Sequence, residues 1–250
     1  MRLKPFFSYY GSKWLTAPHY PHPAEETIVE PFCGSACYSL LYPWKRVELY
    51  DLDPLICSVW DYLINVSERE ILQLPDLLPD QTTEDLSVSQ EAKYLIGFWL
   101  LNAGSTPRKI RSSLWDGGVF WSAKIRRRIA SQIHRIRHWT ITNTDYRLIP
   151  NKRATWFIDP PYQEKGIHYR HSSKAIEFHH LAKWSQERTG TVIVCENDGA
   201  EWMDFSPLYQ LNGQRGKTTE SVWIKNNPQQ NLFDNRERNK TNESSNRSKS

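Results

Sequence analysis

The stretch Thr191-Val192-Ile193-Val194-Cys195-Glu196-Asn197 decides the fold. Its apolar residues are consecutive, whereas a strand with one wet face alternates apolar and polar positions. A continuous run followed by polar residues describes a strand covered on both faces, as in a parallel sheet flanked by helices. Shorter runs at Thr27–Glu30, 47–51, 139–145 and 154–159 also end in acidic residues. Helical stretches fall between some of them. Pro54–Asn65 opens on a proline suited to a first helical turn, and 176–188 stops at Thr189-Gly190. The segments 208–211 and 221–225 flank a glycine-rich basic stretch and read as a terminal antiparallel pair. The expected fold is therefore α/β: a doubly wound, Rossmann-like, mostly parallel sheet closed by an antiparallel strand pair. Such sheets bind ligands at the carboxyl ends of their strands. Here those ends carry Glu30, Asp51, Asp145, Asp159 and Glu196-Asn197.

Between about residues 67 and 138 the strand pattern is interrupted. Tyr94, Leu95, Phe98 and Leu101 mark one helix. Trp121, Ile125, Ile129, Ile133 and Ile136 mark a second, amphipathic one with arginines on its outer face. The expected organisation is a catalytic unit of residues 1–66 and 139–226, with 67–138 inserted as a mainly helical segment whose 121–138 helix packs on that unit. Residues 227–250 are almost entirely polar and are read as a disordered tail, because too little apolar surface is available to offset ordering entropy.

Composition narrows the function. The 250 residues carry a net charge of +4 and 39% hydrophobic residues. No apolar run reaches the roughly 18 residues of a membrane helix, and the first residues do not read as a signal peptide, so a cytoplasmic protein is expected. The four cysteines fit neither a zinc spacing nor a disulfide framework, so no metal is expected. From Arg108 to Arg137 nine basic residues accompany one acid, Asp116, a footprint suited to a nucleic acid.

Three motifs carry chemistry. Asp159-Pro160-Pro161-Tyr162 leaves the strand at 154–158. A carboxylate and a stiffened backbone carbonyl, that of Pro160, can each accept a hydrogen from an exocyclic amine and turn its lone pair toward an electrophile. Tyr162 offers a ring on which an extruded base can stack. Glu30-Pro31-Phe32-Cys33-Gly34-Ser35 closes the first strand with a turn that lets a ligand approach the backbone. Asp51, at the end of the next strand, is placed to accept ribose hydroxyls. The single glycine argues against a dinucleotide fingerprint. At the N-terminus, Phe6-Phe7-Ser8-Tyr9-Tyr10-Gly11-Ser12-Lys13 sets aromatic residues and a lysine around a glycine turn.

Taken together and in this order, the motifs resemble those of the Dam-type DNA adenine-N6 methyltransferases. Residues 6–13 are similar to that family's aromatic-x-Gly-Gly-Lys motif, with Ser12 for the second glycine. Residues 30–36 are similar to its Glu-Pro-Phe-x-Gly-x-Gly motif, with Ala36 for the last glycine, a change read as sterically mild. Residues 159–162 match its catalytic tetrapeptide. The resemblance spans about 6–225, and the compact length is similar to that of phage-borne members. It implies S-adenosylmethionine as cofactor, held by Tyr9, Lys13, Pro31, Phe32, Gly34, Asp51 and Asp159, with Asp145 near its adenine. It implies catalysis by Asp159, Pro160 and Tyr162 on an adenine flipped out of double-stranded DNA.

For the DNA, Arg108, Lys109 and Arg111 in the 105–121 loop are expected to touch phosphates or base edges, with Tyr169 and Arg170 beyond the catalytic turn as further contacts. A monomer is the simplest expectation. Two rivals stand beside this reading: methylation of RNA adenine or of cytosine N4, and a catalytically silent nucleic-acid-binding relative.

Overall fold

The computed structural model describes residues 2–78, 81–101, 104–111, 120–164, 166, 170–213 and 216–225. Seven strands form one sheet: β1 (Thr27–Glu30), β2 (Arg46–Asp51), β3 (Thr140–Asn143), β4 (Ala154–Ile158), β5 (Gly190–Asn197), β6 (Ser206–Gly213) and β7 (Gly216–Lys225). Their order is β3-β2-β1-β4-β5-β7-β6. The first five run parallel, and β7 is antiparallel to both β5 and β6. This is the doubly wound order with one extra strand slipped antiparallel between the fifth and the sixth.

The consecutive apolar residues of the central strands are explained by two separate cores. Ile193 and Cys195 of β5 point into one, together with Phe157 of β4 and Ile28 of β1. Val192 and Val194, with Trp156, Ile158 and Val29, point into the other. Side chains alternate between faces with a period of two, and both faces are dry. Gly190 opens β5 at φ 104°, where an added Cβ would lie 2.2 Å from the Ala154 carbonyl oxygen. Only glycine fits that register.

Helix α1 (Pro54–Asn65) begins where the sequence places it. Asp53 caps it by accepting from the Leu55 amide at 3.0 Å, and Pro54 occupies the first turn. Its inner face buries Ile56, Val59, Trp60 and Leu63. Arg137 donates to the carbonyls of Ile64 and Val66 at its far end, satisfying acceptors a helix leaves open. Trp60 is fully buried, and its truncation to alanine would cost about 3–5 kcal/mol.

The segment 67–138 holds α2 (Glu68–Gln73), α3 (Gln90–Phe98) and α4 (Ala123–Ile133). Leu95, Ile96 and Phe98 of α3 and Ile125, Ile129 and Ile133 of α4 join the same core as Phe6, Phe7 and Trp60. These helices therefore cover one face of the sheet. On the other face, α5 (Phe178–Glu187) buries Leu181, Ala182 and Trp184. It is shorter at both ends than the sequence pattern suggests, because Ile176, Glu177 and Arg188 have extended backbone. β7 starts earlier than expected, at Gly216, because its first half pairs with β6 as a hairpin and then with the end of β5. That extension places Glu220 opposite Asn197, the last residue of β5. The expected tail, 227–250, lies outside the described residues.

Candidate functional site

The strand order reverses between β1 and β4, and the crevice beyond their carboxyl ends is where doubly wound sheets take ligands. A cleft of about 1070 Å³, open mouth included, lies there. Three chain segments supply its floor: 9–13 of the N-terminal run, 30–37 after β1, and 51–53 after β2. Its remaining wall comes from 144–147, Asp159, Pro161 and the strand-to-helix connection at 170–177.

The turn after β1 is built around two left-handed residues. Gly34 has φ 43°, and a Cβ there would sit 3.0 Å from Cε1 of Tyr9. Its carbonyl accepts from the buried Trp60 indole at 2.7 Å, and its amide donates to Asp51 Oδ2 at 3.0 Å. Ala36 has φ 48°. By size alone, alanine here is a small steric change. The actual cost lies in the backbone, since an L-residue in the left-handed region loses about 1–2 kcal/mol. Glu30 is buried, and its Oε1 accepts from the Ser39 amide at 2.9 Å and from the Ser39 hydroxyl. Burial outweighs those two bonds and pushes its carboxyl up to about 8.

Asp51 lines the cleft at the end of β2. Oδ1 accepts from the Asp53 amide at 2.9 Å, and Oδ2 from Gly34, so the carboxylate is fixed in direction. Burial raises its pKa to about 6. Asp145 also lines the cleft, but its two oxygens are held by Arg147, from Nε at 2.8 Å and Nη2 at 2.7 Å. That pairing holds the Asp145 carboxyl below its ordinary value. Phe32 packs against Tyr146 with ring centroids 5.4 Å apart, giving the cleft an aromatic wall.

Asp159 emerges from β4 directly across from the β1 turn. The Lys13 ammonium donates to its Oδ1 at 2.9 Å, and burial raises the Asp159 carboxyl to about 6 against the opposing pull of Lys13. Lys13, expected to help hold the cofactor, lines the cleft but spends this contact on the motif acid. Its Nζ also lies 4.4 Å from the centre of the Tyr162 ring and 3.6 Å from Glu220 Oε1. Tyr162 itself does not line the cleft. Its hydroxyl donates to Glu220, and burial drives its pKa well above the ordinary value. Pro160 is buried, and Pro161 is the proline that faces the cleft. Behind the turn, Glu196 accepts from the Gln163 amide at 3.1 Å and from the Trp202 indole at 2.9 Å. Gly166 closes the loop tightly, since a Cβ there would lie 2.7 Å from the Pro161 carbonyl carbon.

Tyr9, Lys13, Pro31, Phe32, Gly34, Asp51, Asp145 and Asp159 thus line one cleft. The residues expected to meet DNA are more scattered. Arg108 is exposed on the loop that follows α3. Lys109 is exposed but pairs with Glu84 at 2.8 Å, and Arg111 is also exposed. Arg170 reaches back over the cleft, with Nη1 3.3 Å from Asp53 Oδ1. Tyr169 and residues 112–119 lie outside the described residues. Part of the basic run serves the fold. Arg126 pairs with Asp76, Arg128 stacks on Trp99 at 4.8 Å, and Arg137 caps α1.

Sequence reading missed Tyr20 and Glu220. Tyr20 donates to Glu220 Oε1, and both are buried beside Lys13 and Tyr162. An acid inside the β-prone run Thr218-Thr219-Glu220-Ser221-Val222 was the available signal. Among the described residues no group of three or more His, Cys, Asp or Glu side chains is placed to hold a metal ion, and no helix is long and apolar enough to cross a membrane.

No family model matches the chain, and no curated protein does. Among solved structures, a conserved hypothetical protein of Streptococcus pyogenes is similar at 9% identity, over 78% of this chain and 84% of that chain, with a TM-score of 0.33. A likeness of that size supports no further argument.

Proposed function

We propose that this chain is an S-adenosylmethionine-dependent methyltransferase acting on N6 of an adenine extruded from duplex DNA. The observation that carries the reading is convergence: Asp159 and Pro161 of the catalytic turn, the Gly34 turn and Asp51 line one cleft at the switch point of the sheet. The residues present fit the cofactor. Asp51 lines the cleft with its carboxylate held in place by the Gly34 and Asp53 amides, which suits ribose hydroxyls, and the wall of Phe32 and Tyr146 suits a flat base. Asp51 and Asp159 border the space with carboxylates that are ionised at neutral pH, which favours a cationic sulfonium. The Gly34 position leaves room that any side chain would fill against Tyr9.

When bound, the cofactor supplies a methyl group already activated by its sulfonium charge. The chain's own work is to prepare the amine. The N6 lone pair of adenine is delocalised into the ring. Asp159 accepts one N6 hydrogen and a backbone carbonyl of the Pro160-Pro161 turn the other, which holds the nitrogen toward tetrahedral geometry. Methyl transfer would make N6 acidic, and Asp159 would take its proton for release to water. A carboxyl raised to about 6 is ionised at neutral pH yet more basic than a solvated aspartate, which suits that acceptor. Lys13 keeps the carboxylate oriented. Tyr162 fixes the turn through Glu220 and carries Lys13 over its ring, so its role here is to hold the turn.

Exposed Arg108, Lys124 and Arg127 of the helical segment, with Arg111 and Arg170, supply charge for a polyanion. The Gly104 carbonyl accepts from the Tyr10 amide at 3.1 Å, so the loop carrying Arg108 starts at the cleft rim. The segment 67–138 is proposed as the target-recognition element.

The test is incubation with tritiated S-adenosylmethionine and duplex DNA or RNA, followed by digestion to nucleosides. N6-methyladenine from DNA is expected. Label in RNA or in N4-methylcytosine would move the reaction to another substrate, and no transfer to any nucleic acid would overturn it.

A further inference from the structure

Glu220 stands outside every motif named above, yet it ties the site together. It is buried at mid-strand on β7. Because β7 runs antiparallel to β5, this position falls at the carboxyl edge of the sheet, opposite Asn197. Three donors converge on one oxygen, Oε1: the Tyr20 hydroxyl, the Tyr162 hydroxyl and, at 3.6 Å, the Lys13 ammonium. The same ammonium is 2.9 Å from Asp159 and 4.4 Å from the Tyr162 ring centre.

We propose that Glu220 is a positioning residue for the transfer: it anchors Tyr162 and shares Lys13 with Asp159, so that Asp159 remains a competent proton acceptor. This rests on the methyltransferase reading for its catalytic consequence only. The electrostatics follow from the geometry. A lysine paired with Asp159 alone would stabilise the ionised carboxylate and weaken it as a base. A second carboxylate on the far side of the ammonium divides that stabilisation. Besides burial, Asp159 is governed chiefly by Lys13, which lowers its pKa, and by Glu220 and Glu196, which raise it. Glu30, Cys37, Tyr162 and Cys195 also face it electrostatically and stay in both variants, whereas Tyr20, which faces it too, is the hydroxyl removed in Tyr20→Phe.

The two halves of the Glu220 network separate by substitution. Glu220→Gln keeps the shape and an acceptor oxygen for the tyrosines but removes the charge. Lys13 then loses this second carboxylate and acts more fully on Asp159, whose titration midpoint falls by about one unit. Tyr20→Phe removes one donor from Glu220, strengthens its hold on Lys13 and moves the Asp159 midpoint upward. Opposite signs from two substitutions are not produced by loosened packing.

The experiment is ¹³C NMR titration of the aspartate side-chain carboxyls in the full chain, with Asp159 assigned by its loss in Asp159→Asn. Wild type, Glu220→Gln and Tyr20→Phe are compared. A lowered midpoint in the first variant and a raised one in the second support the proposal. Midpoints equal to wild type in both, or shifted in the same direction, overturn it. Should Glu220→Gln fail to fold, the direction in Tyr20→Phe decides alone. In turnover, Glu220→Gln is expected to lower kcat about tenfold with KM for S-adenosylmethionine unchanged. A wild-type protein that transfers no methyl group would sink the methyltransferase reading, while the carboxyl titration still decides the role of Glu220.

Discussion

Replacing Glu30 by glutamine should make the protein more stable at alkaline pH and no less stable at acid pH. Glu30 is buried at the end of β1, and desolvation raises its carboxyl from 4.5 to about 8. The group is protonated in both folded and unfolded chains below pH 4.5. Between pH 4.5 and 8 only the folded chain holds the proton, so stability falls by about 1.4 kcal/mol per pH unit over that window. Above pH 8 the loss is complete and the contribution is flat. The whole window amounts to on the order of 3–5 kcal/mol. Glutamine has no proton to lose, and its Oε1 still accepts from the Ser39 amide and hydroxyl. Urea unfolding of wild type and Glu30→Gln at half-unit intervals from pH 4.5 to 8.5 measures the difference directly. Asp51 and Asp159 titrate in both proteins and cancel in it. The variant is expected to match wild type near pH 4.5 and to exceed it by a few kcal/mol at pH 8.5. Parallel curves, or a variant that is weaker at pH 8.5, would refute the reasoning.

Gly34→Ala forces a Cβ to 3.0 Å from the Tyr9 ring at φ 43°, and should cost about 1–3 kcal/mol in thermal unfolding while weakening S-adenosylmethionine binding in calorimetry. Ala36→Gly relieves a left-handed alanine but loses a buried methyl group and adds unfolded-state entropy. Its stability should stay within about 0.5 kcal/mol of wild type, where an ordinary buried Ala→Gly change loses more. Arg108→Ala should weaken DNA binding to a similar degree across sequences and reduce the slope of log K against log salt by about one, read from binding titrations at several salt concentrations.

The sheet was legible because burial on both faces leaves a direct trace. Ile193 and Val194 are adjacent in sequence but enter different cores, and only a fully covered strand demands that. The start of α1 was legible because Asp53 and Pro54 act within one turn. The residues Gly34, Asp51 and Asp159 were legible because Asp51 ends a parallel strand and the other two lie in turns that leave one. What sequence did not disclose depends on long-range placement. Glu220 is separated by 58 residues from Tyr162 and by 200 from Tyr20, and its edge position exists only because β7 turns antiparallel. The engagement of Lys13 with Asp159 is likewise tertiary. Nor did the arginine run announce that Arg126 and Arg137 would be spent on Asp76 and on the end of α1. Side-chain type was visible, but direction was not.

The central claim is that Asp159 and its turn methylate adenine. Its most direct test is the amount of N6-methyladenine in duplex DNA after incubation with S-adenosylmethionine and either wild type or Asp159→Ala, quantified by mass spectrometry of the digested nucleosides. The expected result is N6-methyladenine with wild type and a rate reduced about 10²–10⁴-fold or more with the variant, whose circular dichroism and unfolding midpoint still report a folded chain. Wild-type rates in Asp159→Ala would contradict the mechanism, and no N6-methyladenine with the wild-type protein would contradict the function.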